Sequence, residues 1–146
     1  MLEKLKKHII DGDFNLTRLL YDNKDYEVLE HDIHVIAYDT ENVATYFFIL
    51  DLIFHKNQAQ LHYIACSLLS NPLVYIPEAY YLAYNHILQA IELDSDNLKY
   101  KENLLLFYSI PDKILKREEA VEVANSILKI DPENKAANSI INGRYV

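Results

Sequence analysis

The scarcity of chain-breaking residues is the feature that most constrains what this sequence can fold into. Only two glycines and four prolines occur in 146 residues, whereas an all-β chain needs a turn roughly every ten residues. Between these breakers, apolar residues recur at spacings of three and four, which is the period of an amphipathic helix. The sequence therefore predicts an all-α fold, an antiparallel array of about eight helices joined by short turns.

Proline positions divide the second half of the chain into helices. Pro72, Pro77, Pro111 and Pro132 all fall at predicted junctions, and Pro77 suits the first turn of a helix, where a missing N–H costs nothing. Helices are predicted over about 77–93, 98–108 and 117–130, with a last helix after Pro132. We expect one all-helical domain over 1–146, with irregular helices in 1–76 and helix pairs in 77–142.

The segment 26–38 fits two kinds of secondary structure. Apolar residues at spacings of three and four, including Leu29 and Ile33, favour a helix. Ile33, Val35 and Ala37 also alternate as they would in a half-buried strand. Both interpretations stay open from the sequence alone.

Two capping signals are predicted on either side of the strongest apolar run. Thr40 is a natural N-cap for a helix that continues to Lys56. Asn57 with Gln60 resembles a capping box, which predicts another helix to about Ser70.

The second half contains an internal repeat with a separation of 37 residues. The pattern Ala83, Ile87, Ala90 and Asp94-Ser95-Asp96-Asn97 recurs as Ala120, Ala124, Ile127 and Asp131-Pro132-Glu133-Asn134. The second copy, EEAVEVANSILKIDPEN, resembles the tetratricopeptide repeat (TPR), whose usual period is about 34 residues. The resemblance covers residues 77–142 and implies TPR-like helix pairs that bind a peptide or a protein surface. The positions of the family's carboxylate-binding residues carry Glu102 and Leu106, which argues against a chaperone-tail adaptor.

No catalytic or metal-binding motif is visible among the six histidines. Glu30 and His34 share a helical face, but a catalytic zinc site needs three ligands and a general base. His55 and His62 have no ligand partner at a suitable spacing within their own segments. We interpret His31 and His34 as solvated residues and expect neither a metal nor another cofactor.

Asp51 and Cys66 are the remaining candidates for chemistry. Asp51 lies in an apolar run and is either a buried acid with a raised pKa or a carboxylate paired with an Arg or Tyr of a neighbouring helix. We favour the paired carboxylate. Cys66 is interpreted as a small core residue, and no glycine-rich phosphate loop or nucleophile motif is present.

The termini and the apolar runs favour a cytoplasmic protein. The N-terminus lacks the features of a signal peptide, and the apolar run Val43–Phe54 is too short to span a bilayer. We therefore expect no membrane partner.

Charge is distributed unevenly and points to the partner. Residues 25–98 contain one basic side chain, Lys56, against eleven acidic ones, a net charge of −10, whereas the rest of the chain carries +2. Such a balance disfavours nucleic-acid binding, which needs clustered Lys and Arg. A solvated surface is one interpretation, and docking on a basic protein is the other.

Tyrosine is over-represented, with twelve residues and no tryptophan. Most are expected in helix packing, and the others are candidates for a binding surface, because Tyr gives a large contact area at low entropic cost. The candidate partner-binding residues are Glu30, Asp32, Asp39, Glu41, Tyr75, Tyr80, Tyr81 and Tyr84.

The sequence thus predicts a non-enzymatic protein-binding module with a basic protein partner and no small-molecule substrate. Its size and acidity suit a small inhibitor or immunity protein that neutralises a bacterial toxin of the nuclease type. The alternatives are a general TPR-like adaptor or, from a different class, a metal- or carboxylate-dependent hydrolase using Asp51 or the His31/His34 pair.

Overall fold

The computed structural model describes residues 1–22 and 25–143, and this part of the chain is all-helical, as predicted. It forms nine helices and no strand, close to the predicted number of eight. The helices are α1 (Leu2–Ile10), α2 (Phe14–Tyr21), α3 (Tyr26–Thr40), α4 (Ala44–His55), α5 (Ala59–Ser70), α6 (Ala79–Leu93), α7 (Leu98–Ser109), α8 (Arg117–Leu128) and α9 (Lys135–Ile141).

The ambiguous segment 26–38 belongs to helix α3. Asp25 caps its N-terminus by accepting a hydrogen bond from the Glu27 amide, which satisfies one of the free donors of the first turn. Ile33, Ile36 and Ala37 are buried, whereas Val35 is 40 % exposed. A strand would have placed residues 33, 35 and 37 on one face, so burial follows the helical period.

The predicted N-cap at Thr40 is wrong. Thr40 is the last residue of α3, and its hydroxyl donates to the Ile36 carbonyl. The chain turns at Glu41, which has a left-handed φ of 50°, and the Asn42 side chain accepts from the amide of Ala44, where α4 begins. Threonine bonds back to the preceding turn here instead of opening a new helix.

The predicted capping box at Asn57 and Gln60 is also wrong. Helix α5 begins after Gln58 without a side-chain cap. Asn57 Oδ1 instead lies 2.7 Å from His62 Nε2, and Gln60 Oε1 accepts a 3.4 Å hydrogen bond from the Tyr100 hydroxyl. Asn57 thus contacts a side chain of the helix that it precedes, Gln60 contacts α7, and both contacts compete with local capping.

Pro77 lies just before α6 rather than in its first turn. Helix α6 begins at Ala79, after Glu78 with a left-handed φ of 63°. The other predicted junctions are close to the observed ones, because α6 ends at Leu93, α7 begins at Leu98 and α8 begins at Arg117.

Helix α4 contains the strongest apolar run and contributes large side chains to the core. Phe48 and Ile49 are fully buried, and the Phe48 ring contacts the rings of Phe14 and Tyr21 from α2. None of the helices formed by residues 1–22 and 25–143 has the length and apolar character that crossing a bilayer requires.

The helices follow two kinds of arrangement. From α4 to α9 each helix contacts the next helix along the chain, and the most extensive contact joins α5 and α6. Helix α3 departs from this order, because besides α4 it contacts α5 and α1. This placement of α3 beside α5 positions the candidate site described below.

The 37-residue repeat has a structural counterpart in burial and capping. All six apolar positions of the two copies are fully buried: Ala83, Ile87, Ala90, Ala120, Ala124 and Ile127. Asn97 caps α7 by accepting from the Tyr100 amide, and Asn134 caps α9 by accepting from the Ala137 amide. The membership of these helices in the TPR family stays a prediction.

Candidate functional site

An open groove runs along α3 and is bounded on the other side by the C-terminal end of α5. Its volume is about 900 Å³. The groove is lined by Glu27, Glu30, His31, His34, Val35, Tyr38, Asp39, Ser67 and Asn71. We refer to these nine residues as the acidic groove.

Helix α3 exposes one side to the groove because its opposite side is fixed in the core. Leu29, Ile33, Ile36 and Ala37 are all buried. The lining residues of α3 are separated alternately by three and by one position along the helix. The helical period that buries one face of α3 therefore exposes the opposite face to the groove.

The floor of the groove is formed by His34, Ser67 and Asn71, whose side chains are hydrogen-bonded within the fold. His34 Nδ1 donates to the Glu30 carbonyl at 2.7 Å, and His34 Nε2 lies 2.8 Å from Ser67 Oγ, at hydrogen-bonding distance. Asn71 Nδ2 donates to the Ser67 carbonyl at 2.8 Å. The interpretation of His34 as a solvated residue is therefore wrong, since both its ring nitrogens are engaged and it joins α3 to α5.

The three carboxylates of the groove differ in their surroundings. Asp39 accepts a hydrogen bond from the Lys6 ammonium of α1. Within residues 1–22 and 25–143, no cation lies within 4 Å of the carboxylates of Glu27 or Glu30. His31, on the same stretch of helix, is 75 % exposed, as predicted. Among the described residues, the groove thus has an end at Glu27 and Glu30 whose negative charge is not paired with a cation.

Glu30 also affects the electrostatics of the α5 surface. Burial and the Glu30 carboxylate raise the pKa of Tyr63 to about 12. On this surface, Lys99 Nζ lies 4.2 Å from the centroid of the Tyr63 ring. Tyr63 and Lys99 form a cation–π contact, so this ammonium is directed to the ring.

Two of the eight candidate residues lie in the groove. Glu30 and Asp39 line it. The Tyr75 hydroxyl donates to the Glu41 carbonyl, which ties the segment after α5 to the end of α3. Asp32 does not line the groove: one of its carboxylate oxygens accepts a 2.9 Å hydrogen bond from the Tyr21 hydroxyl of α2, and the other lies 3.3 Å from His31 Nδ1.

The three tyrosines of α6 lie apart from the groove. The rings of Tyr80 and Tyr84 both contact Phe107 of α7, with centroid distances of 6.5 and 5.5 Å. Tyr81 is 48 % exposed and lies by a small depression with Glu78 and Asp112. Tyr80 and Tyr84 thus share a face of α6, as helical spacing predicts, and Tyr80 also lines the depression beside Tyr81.

Several groove residues were missed in the sequence analysis. Glu27, Val35 and Tyr38 line the groove, and Tyr38 is 61 % exposed. The available signal was their position on the polar side of a helix over 26–38. This shared face can be recognised only when the segment is known to be a helix rather than a strand.

Asp51 is the paired carboxylate that the sequence predicted. Its carboxylate accepts from Arg18 of α2, and His55 Nδ1 lies 2.8 Å from the Asp51 carbonyl oxygen. Arg18 and His55 line a smaller cavity of about 320 Å³ together with Tyr26 and Lys56. Asp51 thus stabilises the contact between α2 and α4.

A chain of four polar side chains links α4, α5 and α6. The Tyr46 hydroxyl lies 2.8 Å from His86 Nε2, His86 Nδ1 lies 3.0 Å from His62 Nδ1, and His62 Nε2 lies 2.7 Å from Asn57 Oδ1. One directed arrangement satisfies all four groups with both rings neutral: Tyr46 donates to His86, His86 to His62, and His62 to Asn57.

Burial holds both rings of this chain in their neutral form. Burial and the neighbouring His62 lower the pKa of His86 to about 4, and burial lowers the pKa of His62. No sequence signal predicted the pair, because the two histidines are 24 residues apart and each looks isolated in its own helix.

Cys66 is a buried free cysteine, as predicted. Burial raises the pKa of its thiol to about 12, so the thiolate is disfavoured. Within the described ranges, no group of three His, Cys, Asp or Glu side chains is arranged to hold a metal ion.

Comparison with known proteins gives no match for this chain among family models, curated proteins or solved structures.

Proposed function

We propose that this protein is a non-enzymatic binding module that holds a basic protein partner through the acidic groove. The observation that carries the proposal is the pair of carboxylates at Glu27 and Glu30, which line an open groove without a neighbouring cation among the described residues. Charged side chains exposed on a concave surface attract a complementary partner and speed its association.

The charge distribution of the chain supports this choice of surface. Residues 25–98 carry eleven acidic side chains and one basic side chain. Some of these acids are compensated within the fold, because Asp51 pairs with Arg18 and Asp39 pairs with Lys6. Glu27 and Glu30 form no such ion pair among the described residues, so their negative charges are available to a partner.

Two of the three residues that a rival hydrolase would use, His34 and Asp51, are occupied by structural contacts, whereas the third, His31, is 75 % exposed. Both ring nitrogens of His34 are hydrogen-bonded, and Asp51 pairs with Arg18. His62 and His86 bond to each other and to Tyr46 and Asn57. The exposed groups that remain in the acidic groove are therefore better suited to binding than to catalysis.

The more specific proposal is a small inhibitor or immunity protein that blocks a basic bacterial toxin. An enzyme that cleaves nucleic acid binds phosphates with clustered Lys and Arg, and an acidic groove offers carboxylates to the same cations. The net charge of −8 supports rapid association with such a surface. A TPR-like adaptor that binds a peptide is the second candidate, supported by the two repeated, equally capped helix starts at Asn97 and Asn134.

The test is capture of the native partner followed by association kinetics. We expect a basic partner and an association rate that falls several-fold between about 0.05 and 0.5 M salt, because salt screens the attraction. The double reversal Glu27→Lys/Glu30→Lys should slow association. The matched control, Glu118→Lys/Glu119→Lys on exposed α8, changes net charge equally and should have the smaller effect.

Two results would contradict the proposal. One is an acidic partner or an association rate that does not respond to salt. The other is an equal loss of rate in the groove variant and in the α8 control, which would assign the effect to net charge alone. A toxin gene next to the gene for this protein would favour the inhibitor over the adaptor.

A further inference from the structure

We infer that the occupant of the acidic groove is an amphipathic α-helix with basic side chains about two turns away from an apolar contact. This inference rests on the proposed function and names the kind of segment that the basic partner inserts. It depends on three observations: the chemical gradient along the groove, the hydrogen bonds of its floor and the length of α3 that lines it.

The groove changes character from one end to the other. Val35 and Tyr38 offer apolar surface at one end, with exposed fractions of 40 % and 61 %, and the adjacent Asp39 is already paired with Lys6. Glu27 and Glu30 provide the acidic end. A complementary segment therefore needs an apolar residue for the first end and cations for the second.

The floor of the groove has few hydrogen-bonding groups left for a peptide backbone. His34 and Ser67 bond to each other, His34 also bonds to the Glu30 carbonyl, and Asn71 bonds to the Ser67 carbonyl. The described residues form no strand, so they offer no sheet edge to which an extended peptide adds. An extended segment would have to order exposed groove side chains or water around its backbone groups.

A helix avoids this cost because it satisfies its own backbone groups. Its side chains alone then make the contacts, which suits a groove that offers carboxylates and apolar surface. Binding of an amphipathic helix along such a groove is a common mode of peptide recognition, with anchors on one face at spacings of three and four.

The spacing of the groove residues sets the spacing of the anchors. Glu30 and Tyr38 are eight residues apart on α3, which corresponds to about 12 Å along the helix axis. An incoming helix aligned with α3 matches this distance with an apolar residue and a basic residue two turns apart. The whole lining from Glu27 to Asp39 spans about 18 Å, which requires roughly three turns.

The test uses two synthetic peptides of about 15 residues, the length at which an alanine-based helix becomes populated. The first places two leucines one turn apart and two lysines about two turns further along the same face. The second has the same composition, permuted so that leucines and lysines are spread around the helix. Dissociation constants are measured by titration, and peptide helicity is measured by circular dichroism in the free and bound states.

We expect the amphipathic peptide to bind about tenfold more tightly than the permuted peptide, a difference of about 1.4 kcal/mol. Its helicity should rise on binding. Glu27→Gln/Glu30→Gln should weaken binding about tenfold, and Val35→Asp should weaken it through the apolar end. Glu118→Gln/Glu119→Gln on α8 serves as the control and should leave binding unchanged.

The outcomes separate this inference from the proposed function. If both peptides bind equally and both lose affinity with Glu27→Gln/Glu30→Gln, the helical occupant is wrong while the basic partner stands. If neither peptide binds but the native partner still depends on Glu27 and Glu30, the helical occupant is again wrong. If the native partner is also insensitive to those residues, both proposals fail.

Discussion

The two regions of this molecule are built on different principles. In the C-terminal region, α5–α9, each helix contacts the next one along the chain, and the repeated contacts are made by small residues such as Ala83, Ala120 and Ala124. In the N-terminal region, α1–α4, large aromatic residues fill the core and polar pairs join distant helices. The difference shows that one chain can combine a local repeat with an irregular assembly.

Among the described residues, ion pairs between different helices occur in the N-terminal region and not within α5–α9. Arg18 of α2 pairs with Asp51 of α4, and Lys6 of α1 pairs with Asp39 of α3. The Tyr21 hydroxyl donates to Asp32. Such bonds fix the orientation of α3, and this orientation leaves the acidic groove open.

The largest expected effect is loss of the aromatic core of the N-terminal region. Phe48→Ala should lower the free energy of unfolding by about 3–5 kcal/mol, because a fully buried ring is replaced by a cavity. Chemical denaturation measures the change. Phe47→Ala is the matched control, because Phe47 is half-exposed on the same helix. Equal losses for the two variants would contradict the described core.

The C-terminal region should be sensitive to added bulk instead. Ala120 is fully buried, so Ala120→Leu should overpack a close helix contact and cost roughly 1–3 kcal/mol of unfolding free energy. Glu119→Leu adds a leucine at an exposed position of the same helix and should have little effect. An unchanged melting temperature for Ala120→Leu would count against close packing at α8.

The hydrogen-bonded chain from Tyr46 to Asn57 lies where the two regions meet, and we expect it to make the stability of the protein sensitive to acid. His62 and His86 have folded-state pKa values below the ordinary value of 6.5, with His86 at about 4. The folded state therefore binds fewer protons than the unfolded state in this range, and stability falls as the pH drops below 6.5. We expect a loss of about 2 kcal/mol between pH 7 and 5.

Variants of His86 and of His31 test whether the histidine pair causes this loss of stability. Urea denaturation at several pH values should give a shallower dependence for His86→Gln than for the unchanged protein. His31→Gln, which removes an exposed histidine, should leave the dependence unaltered. A steep dependence that survives in His86→Gln would assign the effect to other groups.

The smallest expected effect compares the two copies of the repeat. Asn97→Ala and Asn134→Ala each remove an equivalent helix cap and should cost about 1 kcal/mol. Asn134→Ala should be the more costly, because Asn134 is buried and also donates to Glu102. Thermal unfolding of both variants checks the order, and the reverse order would contradict the added contribution of the Asn134–Glu102 hydrogen bond.

The sequence by itself determined the helices of the C-terminal region and the residues that these helices bury. Apolar spacing identifies a buried face without knowledge of the partner helix, so Ala120, Ala124 and Ile127 were assigned to that face correctly. The interpretations of Asp51 and Cys66 were confirmed for a similar reason. A lone charged or sulfur-containing residue in an apolar run has few ways to be accommodated.

Only the tertiary structure decided the acidic groove and the His62–His86 pair. Both depend on which helix faces meet, and the partners lie far apart in sequence: Ser67 is 33 residues from His34, and His86 is 24 residues from His62. No local period carries that information, because helical spacing relates residues within one element only. Thr40 and Asn57 failed as predicted caps for a different, local reason: the Thr40 hydroxyl bonds back to the Ile36 carbonyl, and Asn57 Oδ1 contacts the His62 ring five residues further along the chain.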